Sequence, residues 1–260
     1  MKMPGKSPEP HRNEDAFAKL LELLAVIASI GILAGILLPA SVPRRTTGKI
    51  MMARVEMANL TAAISQYYSE YGTLPASANA TNAAAALGSD FTFGTVVRGT
   101  RANGAAGSPL EGQQIVSSSV ITQNPSTPGS RYQNVNSEVV AILADADYYP
   151  ENSPTRHTYN LRQLPFFNAR AAVDKNSPGI DTNNILRDPW GMPYIMTLDL
   201  NYDGKCADPV VWQTLYRNAG ITNFTVPGWS MIWSFGPLKT LSLTQPPNSG
   251  TNKYLVTSWK

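Results

Sequence analysis

The sequence predicts an α+β protein in which a long N-terminal helix, partly membrane-type and partly amphipathic, packs on a C-terminal antiparallel sheet. Three observations predict it. An apolar run, "LLELLAVIASIGILAGILLP", occupies Leu20 to Pro39. A seven-member apolar stripe at helical spacing follows from Ile50 to Tyr71. The last third holds three β-branched and aromatic segments bounded by Pro, Gly and Asn.

Along the chain, residues 1–17 read as a polar leader and 18–43 as a transmembrane N-terminal helix. Residues 44–75 read as its amphipathic continuation and 76–260 as a globular domain. The leader is charged and proline-containing. Leu20–Leu38 makes a helix of about 28 Å, close to the hydrocarbon thickness of a bilayer. A cleaved secretory signal is the rival reading, with "LLPASVP" as its cleavage site, but signal cores are shorter, at about 7–15 residues. Basic residues flank both ends (Lys2, Lys6, Arg12 and Lys19; then Arg44, Arg45 and Lys49), so charge does not orient the segment. Glu22 is the only ionisable residue inside the run. It costs about 2.5–3.5 kcal/mol at a helix centre and less near an end.

In the next segment Ile50, Ala53, Met57, Leu60, Ile64, Tyr67 and Tyr71 share one stripe, with Arg54, Glu56, Ser65 and Glu70 off it. Gly72 and Pro75 end the helix. Pro39 and Pro43 would kink the chain between the two helical segments without ending it. Residues 76–135 are rich in Ala, Gly, Ser, Thr and Asn and read as long loops, with brief strands at "FTFGTVV" and "QQIVSSSVI". "NSEVVAILADADYY" predicts a helix capped by Asn136 or Ser137, with Glu138 in its first turn and Val139, Ile142 and Leu143 inward. "PYIMTLDL" (193–200), "GWSMIWSF" (228–235) and "KYLVTSW" (253–259) predict strands.

Composition excludes several functions. The net charge of +3 is scattered and leaves no nucleic-acid footprint. One cysteine, Cys206, rules out an internal disulfide framework and a multi-cysteine metal site. The two histidines, His11 and His157, confine histidine chemistry to His157, which reads as an exposed loop residue. Asp145 and Asp147 read as solvated rather than as an acid/base pair, and no nucleotide loop or nucleophile motif occurs, so no enzyme is expected.

"DLNYDGKCAD" places Asp199, Asn201 and Asp203 at alternate positions, followed by Gly204, the Lys205 carbonyl and Asp208. Oxygens so spaced can converge on one hard cation, with glycine making the sharp turn. An EF-hand would need a glutamate where Val210 stands, so the loop is not one. An Asx-rich turn between two strands is the simpler alternative. Asp188-Pro189-Trp190-Gly191 reads as structural: Pro fixes φ, Gly adopts a conformation others avoid, and Trp buries a large surface.

These residues resemble a known family. "FAKLLELLAVIASIGILAGILLP" is similar to the N-terminal signal of type IV pilins and type II secretion pseudopilins. "ARVEMANLTAAISQYYSEYGTLP" resembles the amphipathic continuation of the pseudopilin helix. "RDPWGMPYIMTLDLNYDGKCADP" resembles the Asp-Pro-Trp-Gly-x-Pro-Tyr segment of major pseudopilins. The likeness covers 17–75 and, more loosely, 185–240. It implies a pilin-like fold and a prepilin peptidase that cuts after the leader, with methylation of the new amine. It also implies an inner-membrane assembly platform, membrane lipid around the helix before assembly, and self-association into a helical filament. The domain would lie in the periplasm of a bacterium, or outside the cell on a filament. Glu22 would neutralise a neighbouring subunit's amine in the filament core; the alternative is that it snorkels to the headgroups. The resemblance also implies calcium at Asp199, Asn201, Asp203, Lys205 and Asp208.

The chain departs from the pattern at the cut, Ala16-Phe17-Ala18. Counting Glu22 as the fifth mature residue starts the chain at Ala18, after Phe17 rather than Gly; starting at Phe17, after Ala16, makes Glu22 the sixth. Lys19 also stands where the family is apolar. A single-pass anchored binding module that never polymerises is therefore the alternative. A membrane-tethered enzyme is the third reading, disfavoured by the missing catalytic constellation.

Overall fold

The computed structural model describes residues 11–94, 135–146, 157–174, 176–182, 184–209 and 211–259, with the side chains of 11–16, 34–44 and 86–87 outside that description. The leader residues 1–10 and "QQIVSSSVI" fall outside it, as does Asp147. The described chain is a mixture of helix and antiparallel sheet. Helix α1 runs His11–Tyr71, 61 residues, and is helical through Pro39 and Pro43. The chain divides into two compact units at Gly48/Lys49, within this helix.

In the second unit the predicted stripe is the buried face of α1. Ala53, Met57, Leu60, Ile64 and Tyr67 are buried, and Ile50 and Tyr71 pack against the same core. Each large side chain on that stripe contributes about 1.5–3 kcal/mol on burial, whereas the exposed Arg162–Glu70 ion pair on the same helix is worth about 1 kcal/mol or less. Hydrophobic burial therefore docks this helix. Gly72, at φ +69°, ends it with its N–H on the Tyr68 carbonyl at 2.8 Å.

The Ala-rich segment beyond is a helix, α2 (Ala78–Leu87), where the sequence reading expected loop. Alanine is the best helix former, and both ends are capped. The Ser77 hydroxyl accepts the Ala80 N–H, and Gly88 closes the last turn in the left-handed region. Strand β1 (Phe91–Phe93) follows within the predicted "FTFGTVV". Helix α3 (Ser137–Ala144) begins after Asn136, as predicted. The Asn136 side chain does not cap it, however; its amide bridges the backbones of Leu186 and Tyr194.

A two-residue hairpin, β2 (Gly179–Ile180) and β3 (Leu186–Arg187), leads into β4 (Ile195–Leu198). Then come β5 (Lys205–Cys206), a short helix α4 (Trp212–Arg217), β6 (Val226–Pro227), β7 (Ser230–Ser234) and β8 (Val256–Thr257). The main sheet has the order β1-β4-β7-β8, antiparallel throughout, with Phe91 opposite Leu198, Met196 opposite Ile232 and Ser234 opposite Val256. The three predicted strands are present but shorter than their sequence patterns; Lys253 and Tyr254 lie in a 3-10 turn.

Both faces of the sheet are covered. Phe91, Phe93, Met196, Leu198 and Ile232 join the core that holds α1, α2 and α3. Ile195, Met231 and Trp233 turn the other way, onto Trp212 and Leu215 of α4. The second layer was not foreseen, because α4 is too short to carry a helical pattern.

Glu56 ties α1 to the sheet. The buried Tyr194 hydroxyl donates to its Oε2 at 2.5 Å. Burial raises the Glu56 carboxyl above its ordinary 4.5, with the Tyr194 bond and the Arg170 charge opposing. A carboxyl raised in the fold binds its proton first there, so its contribution is most favourable at low pH and fades as pH rises through that window. Glu56→Gln, which keeps an acceptor for Tyr194, is expected to flatten the loss of stability as pH rises above the ordinary carboxylate range. Urea midpoints along that rise check it, and an unchanged slope would dismiss the assignment.

Candidate functional site

The loop after β4 carries the predicted oxygen ligands. Asp199 is fully buried at the strand end, its N–H on the Trp229 carbonyl at 3.1 Å. Its Oδ1 accepts from the Asp203 N–H at 3.2 Å and its Oδ2 from the Gly204 N–H at 2.8 Å. Asn201 Oδ1 shares the Asp203 N–H at 3.0 Å, and Asp203 Oδ1 accepts the Lys205 N–H at 2.8 Å. The backbone turns through positive φ at Tyr202 (+59°) and Gly204 (+78°). The Asn201 and Asp203 bonds are Asx turns, in which a short polar side chain bonds the backbone two residues on, and Asp199 reaches across them to the N–H groups of Asp203 and Gly204. Burial, then the neighbouring Asp203 charge, raises the Asp199 carboxyl above its ordinary range against the Gly204 and Asp203 N–H groups.

Asp208, expected in the same set, is committed elsewhere. Its Oδ1 accepts from the Val211 N–H at 3.0 Å and the Thr92 hydroxyl at 3.4 Å, and its Oδ2 from Trp233 Nε1 at 3.2 Å. It is fully buried and fixes the start of α4 against β1 and β7. Nearby, the Cys206 thiol donates to the Thr197 carbonyl at 3.2 Å, and burial pushes its pKa well up. It is an inert core thiol.

A residue the sequence reading missed faces the loop. Asp90, immediately before β1, is 1% exposed. Its Oδ2 accepts the Ala207 N–H at 2.6 Å, while its buried Oδ1 has no hydrogen-bond partner. Burial, joined by the Asp199 and Asp203 charges, raises its carboxyl to about 6. No local pattern could have found it, because Asp90 and Ala207 are 117 residues apart in the chain. As the side chains stand, no three His, Cys, Asp or Glu residues among the described ones are gathered around a common point. Tyr202 links the loop to the end of α1: its hydroxyl accepts the Leu74 N–H at 3.1 Å, and its ring lies 6.5 Å from that of Tyr68, which packs on Trp229 at 4.2 Å.

His157 is not a free loop histidine. It is half-buried, with Nδ1 at 2.6 Å from Asp145 Oδ1, and both residues hold left-handed backbone (φ +54° and +55°). Ala141, Ile142, Tyr159 and Asn160 line a small cleft beside them, and no serine or cysteine is among its described lining residues. The pair closes the end of α3, where Asp145 is the residue at the C-cap.

In the first unit, ten large apolar side chains from Phe17 to Leu33 are each at least 50% exposed. They cover most of the circumference of the helix, and the remaining strip carries Ala18, Glu22, Ala25 and Ser29, all exposed. The Ser29 hydroxyl donates to the Ala25 carbonyl at 2.8 Å, so its polar group is satisfied within the helix. The Ala16 side chain and those of 34–44 lie outside the described residues. Among the described residues no helix is long and apolar enough to cross a membrane.

Comparison of the chain with protein-family models, with curated proteins and with solved structures finds no match.

Proposed function

We propose that the chain is a structural, non-enzymatic subunit of a pilin-like filament, of the type II secretion pseudopilus or type IV pilus kind, and that its domain is a pilin-like fold. The observation that carries this reading is the broad exposed apolar surface of α1 between Phe17 and Leu33, which covers most of its circumference. A helix apolar over so much of its surface belongs in lipid or among other helices. Covering each of those ten side chains gains roughly 1 kcal/mol or more. Together they outweigh the about 2.5–3.5 kcal/mol that an unpaired acid such as Glu22 costs at a helix centre. Lipid covers the helix first, with the domain in the periplasm of a bacterium; copies of the same chain cover it afterwards. The partners are a prepilin peptidase, an inner-membrane assembly platform and the chain itself, with no nucleic acid.

The test is the intact mass and N-terminal peptide of the protein from its own cell envelope. A chain beginning at Phe17 or Ala18 with a methylated amine is expected. Retention of residues 1–16 would overturn the polymerising reading. It would favour the second one, a permanently anchored binding module, whose support is Phe17 standing where the family has glycine and Lys19 intruding beside it.

The loop after β4 belongs to the same proposal as a divalent-cation site. The donor set fits calcium, which takes six to eight oxygens in flexible geometry, and the unpartnered Asp90 oxygen marks a place where positive charge is wanted. Asp199, Asn201, Asp203 and the Lys205 carbonyl would hold the ion, with Asp208 left to its own partners. The ion would supply a cross-link, not a reaction. Calcium is expected to raise the melting temperature of the full chain in detergent, and Asp203→Ala to abolish that gain. A wild-type chain indifferent to calcium would remove the ion from the proposal.

A further inference from the structure

We propose that Asp90 is a further ligand of that cation, so that the ion staples the entry of β1 to the 199–205 loop. This rests on the cation reading of the loop given above. The carboxylate is 1% exposed, with one oxygen on the Ala207 N–H and the other unpartnered. A buried acceptor left without a donor costs about 1–3 kcal/mol, and more when it is charged. The charges that Asp90 feels, Asp199 and Asp203, have its own sign. The Asn201 backbone is near enough to favour its ionised form, yet Oδ1 completes no hydrogen bond. The Ala207 N–H accounts for one oxygen of this third carboxylate and leaves the other without a donor. A hard cation would complete it, because it satisfies the orphan oxygen and cancels the mutual repulsion at once.

The stoichiometry also works. Spacing alone nominates Asp208 as the third carboxylate, but Trp233, Thr92 and Val211 already hold it. Asp90 takes its place from another strand. Asp203 is exposed and spends only Oδ1 on the loop, on the Lys205 N–H, so its second oxygen remains to ligate. Asp199 bonds through both oxygens, each of which retains a lone pair. An ion bound this way spans three parts of the fold: β1 through Asp90, the end of β4 through Asp199, and the loop that Tyr202 fastens to Leu74 after α1.

The experiment uses the full chain in detergent micelles, stripped with a chelator and titrated with calcium chloride. Affinity is read by calorimetry and melting by circular dichroism, for wild type, Asp90→Asn, Asp203→Asn and Asp208→Asn. Asparagine at 90 keeps the acceptor for Ala207 and removes the charge. Without calcium, Asp90→Asn is expected to melt no lower than wild type; with calcium, its affinity falls roughly tenfold or more. Asp208→Asn is expected to melt lower while binding within about twofold of wild type. If Asp90→Asn melts too low to compare, Asp90→Glu keeps the charge but moves the oxygens. Its affinity falls if Asp90 ligates and holds if Asp90 only adds to the local field, which would overturn the proposal. Wild type that binds, Asp203→Asn that does not, and Asp90→Asn that binds normally would also overturn it and leave the loop reading standing. A wild type that binds no calcium would overturn both.

Discussion

Glu22→Ala is expected to abolish the proposed filaments while leaving the melting temperature of the chain within about 1 °C of wild type. Glu22 is an exposed side chain on a helix whose neighbours are exposed leucines, so truncating it removes no packing in the monomer. In the proposed filament core the same position would face other apolar helices, where an ammonium left without its carboxylate would cost about 3–5 kcal/mol. That is roughly two to four orders of magnitude in the equilibrium for adding each subunit. Glu22→Gln keeps size and polarity but not charge and is expected to fail as completely. The measurement is negative-stain microscopy of sheared filaments, with the monomer pool quantified in the membrane fraction. Normal filaments from either variant would remove charge pairing from the assembly mechanism. Normal filaments from Glu22→Gln alone would reduce the requirement to a hydrogen bond.

The second large effect is in the fold. Gly191→Ala is expected to destabilise the chain by roughly 2–6 kcal/mol, combining positive-φ strain with overpacking. Gly191 sits at φ +85°, and a Cβ there would lie 1.9 Å from the Asn176 carbonyl oxygen, a backbone atom rather than the end of a flexible side chain. The turn it completes is tightly specified. Asp188 Oδ1 accepts the Trp190 and Met192 N–H groups, both at 2.9 Å, and its Oδ2 accepts the Ser234 hydroxyl. The Arg187 side chain donates to the Gly191 carbonyl at 3.1 Å while pairing with the buried Asp181. Burial raises the Asp188 carboxyl above its ordinary range despite these donors. Gly72→Ala is the control, with a similar φ (+69°) but open space around the new methyl group. It is expected to cost about 1 kcal/mol. Equal losses in the two variants, read from urea unfolding, would mean that the close approach to Asn176 is not real.

The parts of this fold that were legible in the sequence are those set by neighbours within a few residues. The Ile50–Tyr71 stripe is a local pattern, and it is the buried face of α1. The strand centres are legible in the same way, since β-branched and aromatic runs mark them. Their ends are not, because Pro193 and Tyr254 are fixed by tertiary partners. Helix α2 was missed because a run of alanines carries no amphipathic period, although Ser77 and Gly88 hold both caps. At the candidate site, Asp199, Asn201 and Asp203 come together because their spacing alone makes the turns. The partners of Asp208 were not foreseen and Asp90 was overlooked for one reason: Trp233 and Ala207 come from remote parts of the chain. His157 is the same case on a smaller scale, since its partner Asp145 is 12 residues away across a connection.

The shortness of the sheet's outer strands has a consequence for how the protein is stored. Among the described residues β1 has three residues and β8 has two, and each pairs on one side only. Such stubs offer a neighbouring molecule too few free N–H and C=O groups to template a cross-molecular ribbon. Both faces of that sheet are also occupied, so the described part of the sheet resists β-type clumping when molecules are crowded. On the proposed reading, self-recognition would then fall to the exposed apolar side chains of α1, and a dense store of molecules would favour ordered growth over precipitation.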